Sequence, residues 1–136
     1  MTFLLDTNVI IHLIHKKEPL NKNVRRHDPS KLAISGFTEA ELAYGVEKSA
    51  PQHRETNRLA RATLLATFTR VYHDDAVSEA YGKIKAHLVM NKLYAPSNEL
   101  DIFIAATAVA KNLTLVTENI KDFNGIPDLK LANWSV

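Results

Sequence analysis

Cysteine is absent from this 136-residue chain, and glycine and proline are sparse, with four and five residues. Without cysteine there is no disulfide framework and no thiolate zinc site, so any bound metal must be held by oxygen or imidazole ligands. A hydrophobic content of 46% suffices for one buried core, and we expect a single domain over residues 1–136. The lack of cysteine also suits a reducing compartment, and we expect a cytoplasmic protein.

Long apolar runs and basic targeting segments are also missing. The chain starts MTFLLDTN, without the basic leader and the small-residue cleavage site of a secretory signal. Its apolar run from Val9 to Ile14 is far too short to cross a bilayer, so we expect no membrane association. The net charge of +2 and the pI of 8.9 permit nucleic-acid contact but fall short of the basic signature of a dedicated nucleic-acid binder.

Short apolar segments alternate with helical patterns along the chain. Strands are predicted at 3–5, 32–34, 71–72, 113–116 and 129–131, and longer helices at 7–15, 38–48, 51–69, 75–90 and 98–111. Each parallel crossover needs a helix to return the chain. The pattern therefore predicts an α/β fold with a doubly wound, mostly parallel sheet of about four to five short strands, flanked by helices.

Acidic or amide side chains stand at four strand-to-helix junctions, namely Asp6, Glu41, Asp101 and Asn119. In a parallel α/β sheet such junctions gather at the carboxyl ends of the strands, where ligands bind. Converging carboxylates repel one another unless a cation neutralises them. The six histidines show no metal-ligand spacing, so the oxygen-rich set predicts a site for Mg²⁺ or Mn²⁺.

Each of the three acids also has a purely structural interpretation. Asp6 precedes a helix and suits an N-cap position. Glu41 completes a capping box that starts at Thr38. Asp101 lies in a first helical turn, where it complements the helix dipole, although its spacing of four from Ala105 places it on the inward face. An inward carboxylate is costly without a partner, which favours the cation hypothesis.

Neighbouring polar residues compete for two of the four positions. Glu39 stands two residues from Glu41 and faces nearly the opposite side of the helix, so only one of the pair reaches a shared pocket. We choose Glu41. At the fourth position, Asn119 also suits an ordinary turn or helix cap, and Glu118 and Thr117 remain alternatives.

Four segments, taken together, resemble the PIN-domain family and its VapC-type toxins. They are LLDTN at 4–8, TEAELAYGVEKS at 38–49, LDIFIAATA at 100–108 and LTLVTEN at 113–119, followed by Asn133-Trp134 near the end. The resemblance covers essentially the whole chain. Each motif alone is weak, but the order and the spacing of all four make the resemblance specific.

The resemblance implies an endoribonuclease that uses Mg²⁺ or Mn²⁺ and acts as the toxin of a VapBC-type toxin–antitoxin pair. It further implies a homodimer, a cognate VapB-type antitoxin, and a structured RNA substrate such as tRNA, with initiator tRNA as the first candidate. Matching positions make Asp6, Glu41 and Asp101 the metal-binding and catalytic acids. Asn119 takes the fourth position, with Thr117 beside it.

Two departures from the family pattern affect the site. The segment Ala95-Pro96-Ser97-Asn98-Glu99 stands where many relatives have Gly-Pro or a similar pair, so Glu99 competes with Asp101 for the role of third acid. Asn119 supplies no negative charge. We therefore expect Asn119 to orient a water or a metal ligand, with Glu118 or Thr117 contributing instead.

Rival functions follow from the same residues. The amide at the fourth position is compatible with a catalytically silent PIN domain that only binds RNA or a protein partner. Haloacid-dehalogenase-type phosphatases also place an acid after the first strand, but they need a second aspartate where this chain has Asn8. Response-regulator receivers need an acidic pair that is missing as well. Both of these enzyme classes are disfavoured.

Overall fold

A five-stranded parallel sheet organises the chain, and the computed structural model describes all 136 residues. The strands are β1 (Phe3–Leu5), β2 (Leu32–Ser35), β3 (Thr69–Val71), β4 (Thr114–Val116) and β5 (Lys130–Ala132). The helices are α1 (Thr7–Ile14), α2 (Leu20–Arg25), α3 (Gly36–Lys48), α4 (Pro51–Thr67), α5 (Asp75–Met90), α6 (Glu99–Ala110) and α7 (Ile120–Phe123). The predicted α/β fold is confirmed, and no helix has both the length and the apolar character needed to span a membrane.

The strand order places one strand at a topological switch point. The sheet runs β3-β2-β1-β4-β5, with every neighbouring pair parallel. The chain therefore steps outward from β1 through β2 to β3, then crosses back to the other side of β1 for β4 and β5. In open α/β sheets the crevice at this reversal, outside the carboxyl ends of the strands, is where ligands bind.

Both faces of the sheet are buried, each under its own set of helices. Successive strand residues point to opposite faces, so in β1 the side chain of Leu4 packs with α5 and α6, whereas Leu5 packs with α1, α2 and α4. Both leucines are fully buried, and each contributes about 2 kcal/mol by leaving water. This two-sided core explains why the strands read as short continuous apolar runs.

Helix α3 begins two residues earlier than its periodicity predicts. The hydroxyl of Ser35 accepts a hydrogen bond from the backbone N–H of Thr38 at 3.1 Å, which makes Ser35 the N-cap. Thr38 is fully buried inside the first turn. The capping box considered for Glu41 therefore does not form, and the carboxylate of Glu41 is directed elsewhere.

The Asn133-Trp134 pair anchors the end of the chain. The indole of Trp134 stacks on the His27 ring, with centroids 4.1 Å apart and planes 9° from parallel, and meets the edge of Phe3 at 4.8 Å. Its carbonyl accepts a hydrogen bond from the Asn23 amide at 2.7 Å. Because Phe3 begins β1, this anchor lies at the amino end of the sheet, away from the ligand-binding edge.

We expect Trp134→Ala to lower the free energy of unfolding by about 2 kcal/mol, because a half-buried aromatic side chain loses both its burial and its ring contacts. Urea unfolding followed by circular dichroism measures this change. Tyr44→Ala is the control, since Tyr44 is 67% exposed and its loss should change stability by less than about 0.5 kcal/mol. Equal effects in the two variants would contradict the anchoring role.

Candidate functional site

Asp6 lies at the switch point, where β1 and β4 end next to each other. One carboxylate oxygen accepts a hydrogen bond from the backbone N–H of Thr7 and the other from the Thr117 hydroxyl, both at 2.8 Å. The residue is only 4% exposed. It is also the N-cap of α1, so the structural and the functional interpretations apply to the same side chain.

Burial is the main influence on the Asp6 carboxyl and raises its pKa. The hydrogen bonds from Thr117 and Thr7 stabilise the carboxylate and oppose this rise, whereas the nearby charges of Asp122 and Glu118 add to it. A carboxylate held in this way is costly to ionise without a compensating cation. Such perturbed groups are typical of functional sites.

Glu41 on α3 reaches toward the same edge of the sheet. Its carboxylate accepts a hydrogen bond from the hydroxyl of Thr7, and that hydroxyl lies 2.9 Å from the hydroxyl of Thr38. Burial raises the pKa of Glu41, the bond from Thr7 counteracts this, and the charge of Asp6 raises it further. Thr7 therefore connects the two acids, since its N–H binds Asp6 and its hydroxyl binds Glu41.

Glu39 points to different surroundings, as its spacing from Glu41 predicts. Its carboxylate accepts a hydrogen bond from the Tyr72 hydroxyl at 3.0 Å and lies 3.8 Å from the Arg70 guanidinium. It lines an open cavity of about 470 Å³ between α3, α4 and the end of β3. None of the predicted acids Asp6, Glu41 and Asp101 lines this cavity, so Glu39 makes its contacts away from them.

Asp101 occupies the first turn of α6 and is half-buried, with no hydrogen bond to its carboxylate. Burial raises its pKa to about 6, and the charges of Asp6, Asp122 and Glu41 contribute in the same direction. These mutual effects show that the three acids predicted from the sequence converge at one edge of the sheet. Carboxylates that converge in this way repel one another unless a cation neutralises them, as the metal hypothesis requires.

Asp122 is a further acid of this group that the sequence interpretation missed. It lies on α7, and its charge raises the pKa of both Asp6 and Asp101. A signal was present, because Asp122 follows Asn119 by three residues and side chains at that spacing share one face of a helix. We call Asp6, Glu41, Asp101 and Asp122 the acid cluster.

The three candidates near the fourth position have different surroundings. Glu118 pairs with the imidazole of His12, although its charge still acts on Asp6. The Asn119 side chain is exposed and makes no hydrogen bond, whereas its backbone N–H donates to the Thr117 hydroxyl at 3.0 Å. Thr117 thus accepts from the Asn119 backbone and donates to Asp6, which makes it the residue that orients this acid.

Glu99, the rival for the third acid, is engaged elsewhere. Its carboxylate accepts hydrogen bonds from the hydroxyls of Tyr81 and Tyr94, both at 2.6 Å, and lies 2.7 Å from the Lys85 ammonium. The bond from Lys85, followed by those from the two tyrosines, lowers the pKa of Glu99 to about 2. With its charge compensated in this way, Glu99 is not left as a free ligand.

The acid cluster has the donor chemistry of a hard-cation site. None of its carboxylates forms a salt bridge with Lys, Arg or His. No group of three or more Asp, Glu, His or Cys side chains lies close enough together to hold a metal ion by protein ligands alone. Because Mg²⁺ is usually held by one or two carboxylates and retains several waters, the cluster fits Mg²⁺ or Mn²⁺ with water completing the coordination.

A small cleft adjoins the cluster. Asp101 and Asp122 line it together with Asn98 and Lys121, and its volume is about 160 Å³. The Lys121 side chain is exposed. A cation at the edge of an acidic site can contact the phosphates of an anionic substrate without neutralising the acids.

We expect Thr117→Val to weaken Mn²⁺ binding by the cluster about 10- to 100-fold, since it removes the donor that orients Asp6. The same change leaves the Asn119 N–H without its partner, so stability should fall by about 1 to 3 kcal/mol. Thr107→Val is a matched control, because Thr107 is equally buried but bonds only to the Phe103 carbonyl within α6. Titration with Mn²⁺ and urea unfolding of both variants test the prediction, and equal losses of Mn²⁺ affinity would contradict it.

The chain is similar to known proteins of one family along nearly its whole length. Residues 3–128 match the model of the PIN domain family. The chain is 35% identical to Ribonuclease VapC2 of Rickettsia felis over 98% of both chains, and 30% identical to the tRNA(fMet)-specific endonuclease VapC of Shigella flexneri over 99% of both.

A solved structure agrees closely with the fold. The crystal structure of VapBC2 from Rickettsia felis bound to a DNA fragment from their promoter contains a chain that matches with a TM-score of 0.88 and 33% identity, over 98% of this chain and 99% of that one. The family model covers most of the sequence, and the relatives match along nearly their whole length. The chain therefore belongs to the PIN-domain family, and its curated relatives are VapC ribonucleases.

Proposed function

We propose that this chain, acting as a single domain over residues 1–136, is a Mg²⁺- or Mn²⁺-dependent endoribonuclease and the toxin of a VapBC-type pair. The observation that carries the proposal is the acid cluster at the switch point of the sheet. Three of its members have raised pKa values, and none has a cationic partner. A divalent ion accounts for this arrangement, and hydrolysis of a phosphodiester is one reaction that such an ion supports and the one named in the VapC relatives.

Each acid has a role that follows from its surroundings. Asp6 and Asp101 hold the ion, and Asp122 adds negative charge at the same place. Glu41, oriented by Thr7, helps to bind the ion or orients the attacking water. When bound, the ion supplies Lewis-acid stabilisation of the charge that develops on the phosphate.

The proposed substrate is a structured RNA, with initiator tRNA as the first candidate. The relative from Shigella flexneri is named as specific for tRNA(fMet). Sequence-specific recognition of RNA usually targets single-stranded loops, whose bases are open to protein contacts. Lys121, at the edge of the acidic cleft, is placed to contact the RNA backbone. Cleavage of tRNA would inhibit translation in the cytoplasm.

The proposed protein partners are a second copy of the chain and a VapB-type antitoxin. The Rickettsia felis structure that the chain matches is a VapBC2 complex bound to promoter DNA. Co-expression tests this part of the proposal. We expect growth arrest when this chain is expressed alone and normal growth when the neighbouring antitoxin gene is expressed with it.

Cleavage of initiator tRNA tests the catalytic proposal. We expect the purified protein to produce discrete fragments with Mg²⁺ or Mn²⁺ and none with EDTA. Glu41→Gln should lower the rate about 10²-fold, the lower end of the effect of losing an acid–base group. Glu39→Gln is the matched control, since it lies on the same helix but faces Arg70 and Tyr72. It should keep the wild-type rate.

The same assay decides between the enzyme and the silent PIN domain. RNA binding without metal-dependent fragments would favour the silent module and overturn the catalytic proposal. The silent alternative depended on the missing charge at Asn119. Asp122 supplies a fourth carboxylate one helical turn later, which favours the enzyme.

A further inference from the structure

The most completely bonded side-chain group outside the acid cluster surrounds Glu99. Its carboxylate accepts hydrogen bonds from the hydroxyl of Tyr81 on α5 and from the hydroxyl of Tyr94 in the loop before α6. It also pairs with the ammonium of Lys85 on α5. The Lys85 ammonium also donates to the Tyr81 hydroxyl at 3.1 Å. It lies 5.5 and 5.0 Å from the centroids of the two tyrosine rings. We call these four residues the Glu99 group.

The Glu99 group compensates for a missing helix cap. Glu99 is the first residue of α6, and Asp101 follows two positions later in the same turn. Asn98 is the N-cap residue, yet its side chain makes no capping hydrogen bond. A 3₁₀ turn, Pro96–Asn98, leads directly into α6, and its N-cap residue Ala95 provides no side-chain cap either. Local restraint at this helix start therefore comes from backbone hydrogen bonds, and the bonds between Glu99, α5 and the preceding loop add a tertiary restraint.

A stack of aromatic rings links the Glu99 group, through Phe103 of α6, to the helix that carries Glu41. The Tyr81 ring stacks on Phe103 of α6, with centroids 4.2 Å apart and planes 11° from parallel. Phe103 stacks in turn on Phe37 at 4.8 Å. Phe37 lies on α3, four residues before Glu41 and so on the same side of that helix. The stack therefore fixes α6 against α3, the two helices that supply Asp101 and Glu41.

We propose that Glu99 is a positioning residue, which holds the first turn of α6 so that Asp101 stays in register with Asp6 and Glu41 for metal binding. The inference rests on the proposed function. Glu99 acts through its bonds to Lys85 and the tyrosines and touches neither metal nor RNA.

Direct metal binding tests the proposal without RNA. Mn²⁺ is titrated into metal-free protein, and the free ion is followed by electron paramagnetic resonance. We expect Glu99→Gln and Lys85→Met each to raise the Mn²⁺ dissociation constant about tenfold, the lower end of the effect of residues that orient metal ligands. Cleavage assays should show a higher half-saturating Mn²⁺ concentration with little change in the maximal rate.

Lys111→Met is the matched control. This change removes the ion pair between Lys111 and Asp74 at the C-terminal end of α6, whereas Glu99 lies at its N-terminal end. Its Mn²⁺ affinity should equal that of the wild type, and urea unfolding confirms that every variant is folded under the assay conditions. If Glu99→Gln does not fold, Tyr94→Phe, which removes a single hydroxyl, should raise the dissociation constant about threefold.

The outcomes separate the two proposals. If the wild type binds no Mn²⁺, both the proposed function and this inference are overturned. If the wild type binds Mn²⁺ and the folded Glu99 or Tyr94 variant binds it equally well, only the positioning role is overturned. An equal loss of affinity in Lys85→Met and Lys111→Met would also overturn it, because the effect would then reflect general loosening of α6.

Discussion

Asp101→Asn is expected to lower RNA cleavage about 10³-fold and to raise the free energy of unfolding at pH 7 by about 1 kcal/mol. The loss of rate corresponds to several kcal/mol of metal-assisted stabilisation of the transition state. The gain in stability follows from the pKa of Asp101, which is about 6 rather than 3.8. Full conversion of that difference is about 3 kcal/mol, and solvent screening of a half-buried carboxylate reduces it to about 1 kcal/mol.

Single-turnover cleavage and urea unfolding in metal-free buffer measure the two effects. Asp6→Asn should lose cleavage to a similar degree. Its stability should not rise in the same way, because Asp6 accepts hydrogen bonds from Thr7 and Thr117. Asp128→Asn is the control, since this exposed residue has a φ of 64°, a left-handed conformation that asparagine tolerates. A destabilised Asp101→Asn, or one that still cleaves RNA normally, would contradict the role given to Asp101.

Divalent metal is expected to stabilise the protein strongly at neutral pH and weakly in acid. At 100 times the dissociation constant, a ligand that binds only the folded state adds about 2.7 kcal/mol. The ligands must be ionised to bind the ion, and the pKa of Asp101 is raised to about 6. The increase in melting temperature on adding Mg²⁺ or Mn²⁺ should therefore be large at pH 7.5 and small at pH 5.

Without metal, the contribution of Asp101 to stability has the opposite dependence on pH. Between its unfolded pKa of 3.8 and its folded pKa of about 6, the folded state binds more protons than the unfolded state. The stability contributed by this group is thus complete below pH 3.8 and is lost as the pH rises through 6. The difference in unfolding free energy between the wild type and Asp101→Asn isolates the contribution of Asp101 from those of the other titrating groups. The prediction fails if this difference in unfolding free energy does not grow between pH 5 and pH 7. It also fails if Mg²⁺ or Mn²⁺ raises the melting temperature of Asp101→Asn as much as that of the wild type.

Without a cation, the acid cluster lowers the stability of the folded state. Three carboxylates with raised pKa values are brought together at the edge of a parallel sheet, and hydroxyl groups donate to two of them, Asp6 and Glu41. Burial of these charges, and next their repulsion, is a local cost that the buried core on both faces of the sheet offsets. Removing one charge is expected to relieve this cost and to remove the proposed function at the same time, which is the usual conflict between stability and activity.

The sequence by itself determined the fold class and most of the acid cluster. Apolar runs of strand length alternate with helical periodicity, and parallel strands need helical crossovers, so the doubly wound sheet follows from local patterns. The roles of Asp6 and Asp101 were predictable from the same local patterns. Each stands at a strand-to-helix junction or on an inward helix face, and the topology of such a sheet brings these positions to one edge.

Only the tertiary structure decided between residues that are close in sequence. Glu41 rather than Glu39 belongs to the acid cluster, because Glu41 bonds to Thr7, which is distant along the chain. Asp101 rather than Glu99 belongs to it, because Glu99 pairs with Lys85 on another helix. Asp122 joined the cluster because a short helix after β4 turns back toward the switch point. Local pattern gives the direction of a side chain relative to its own element, whereas its partner depends on the packing of elements distant in sequence.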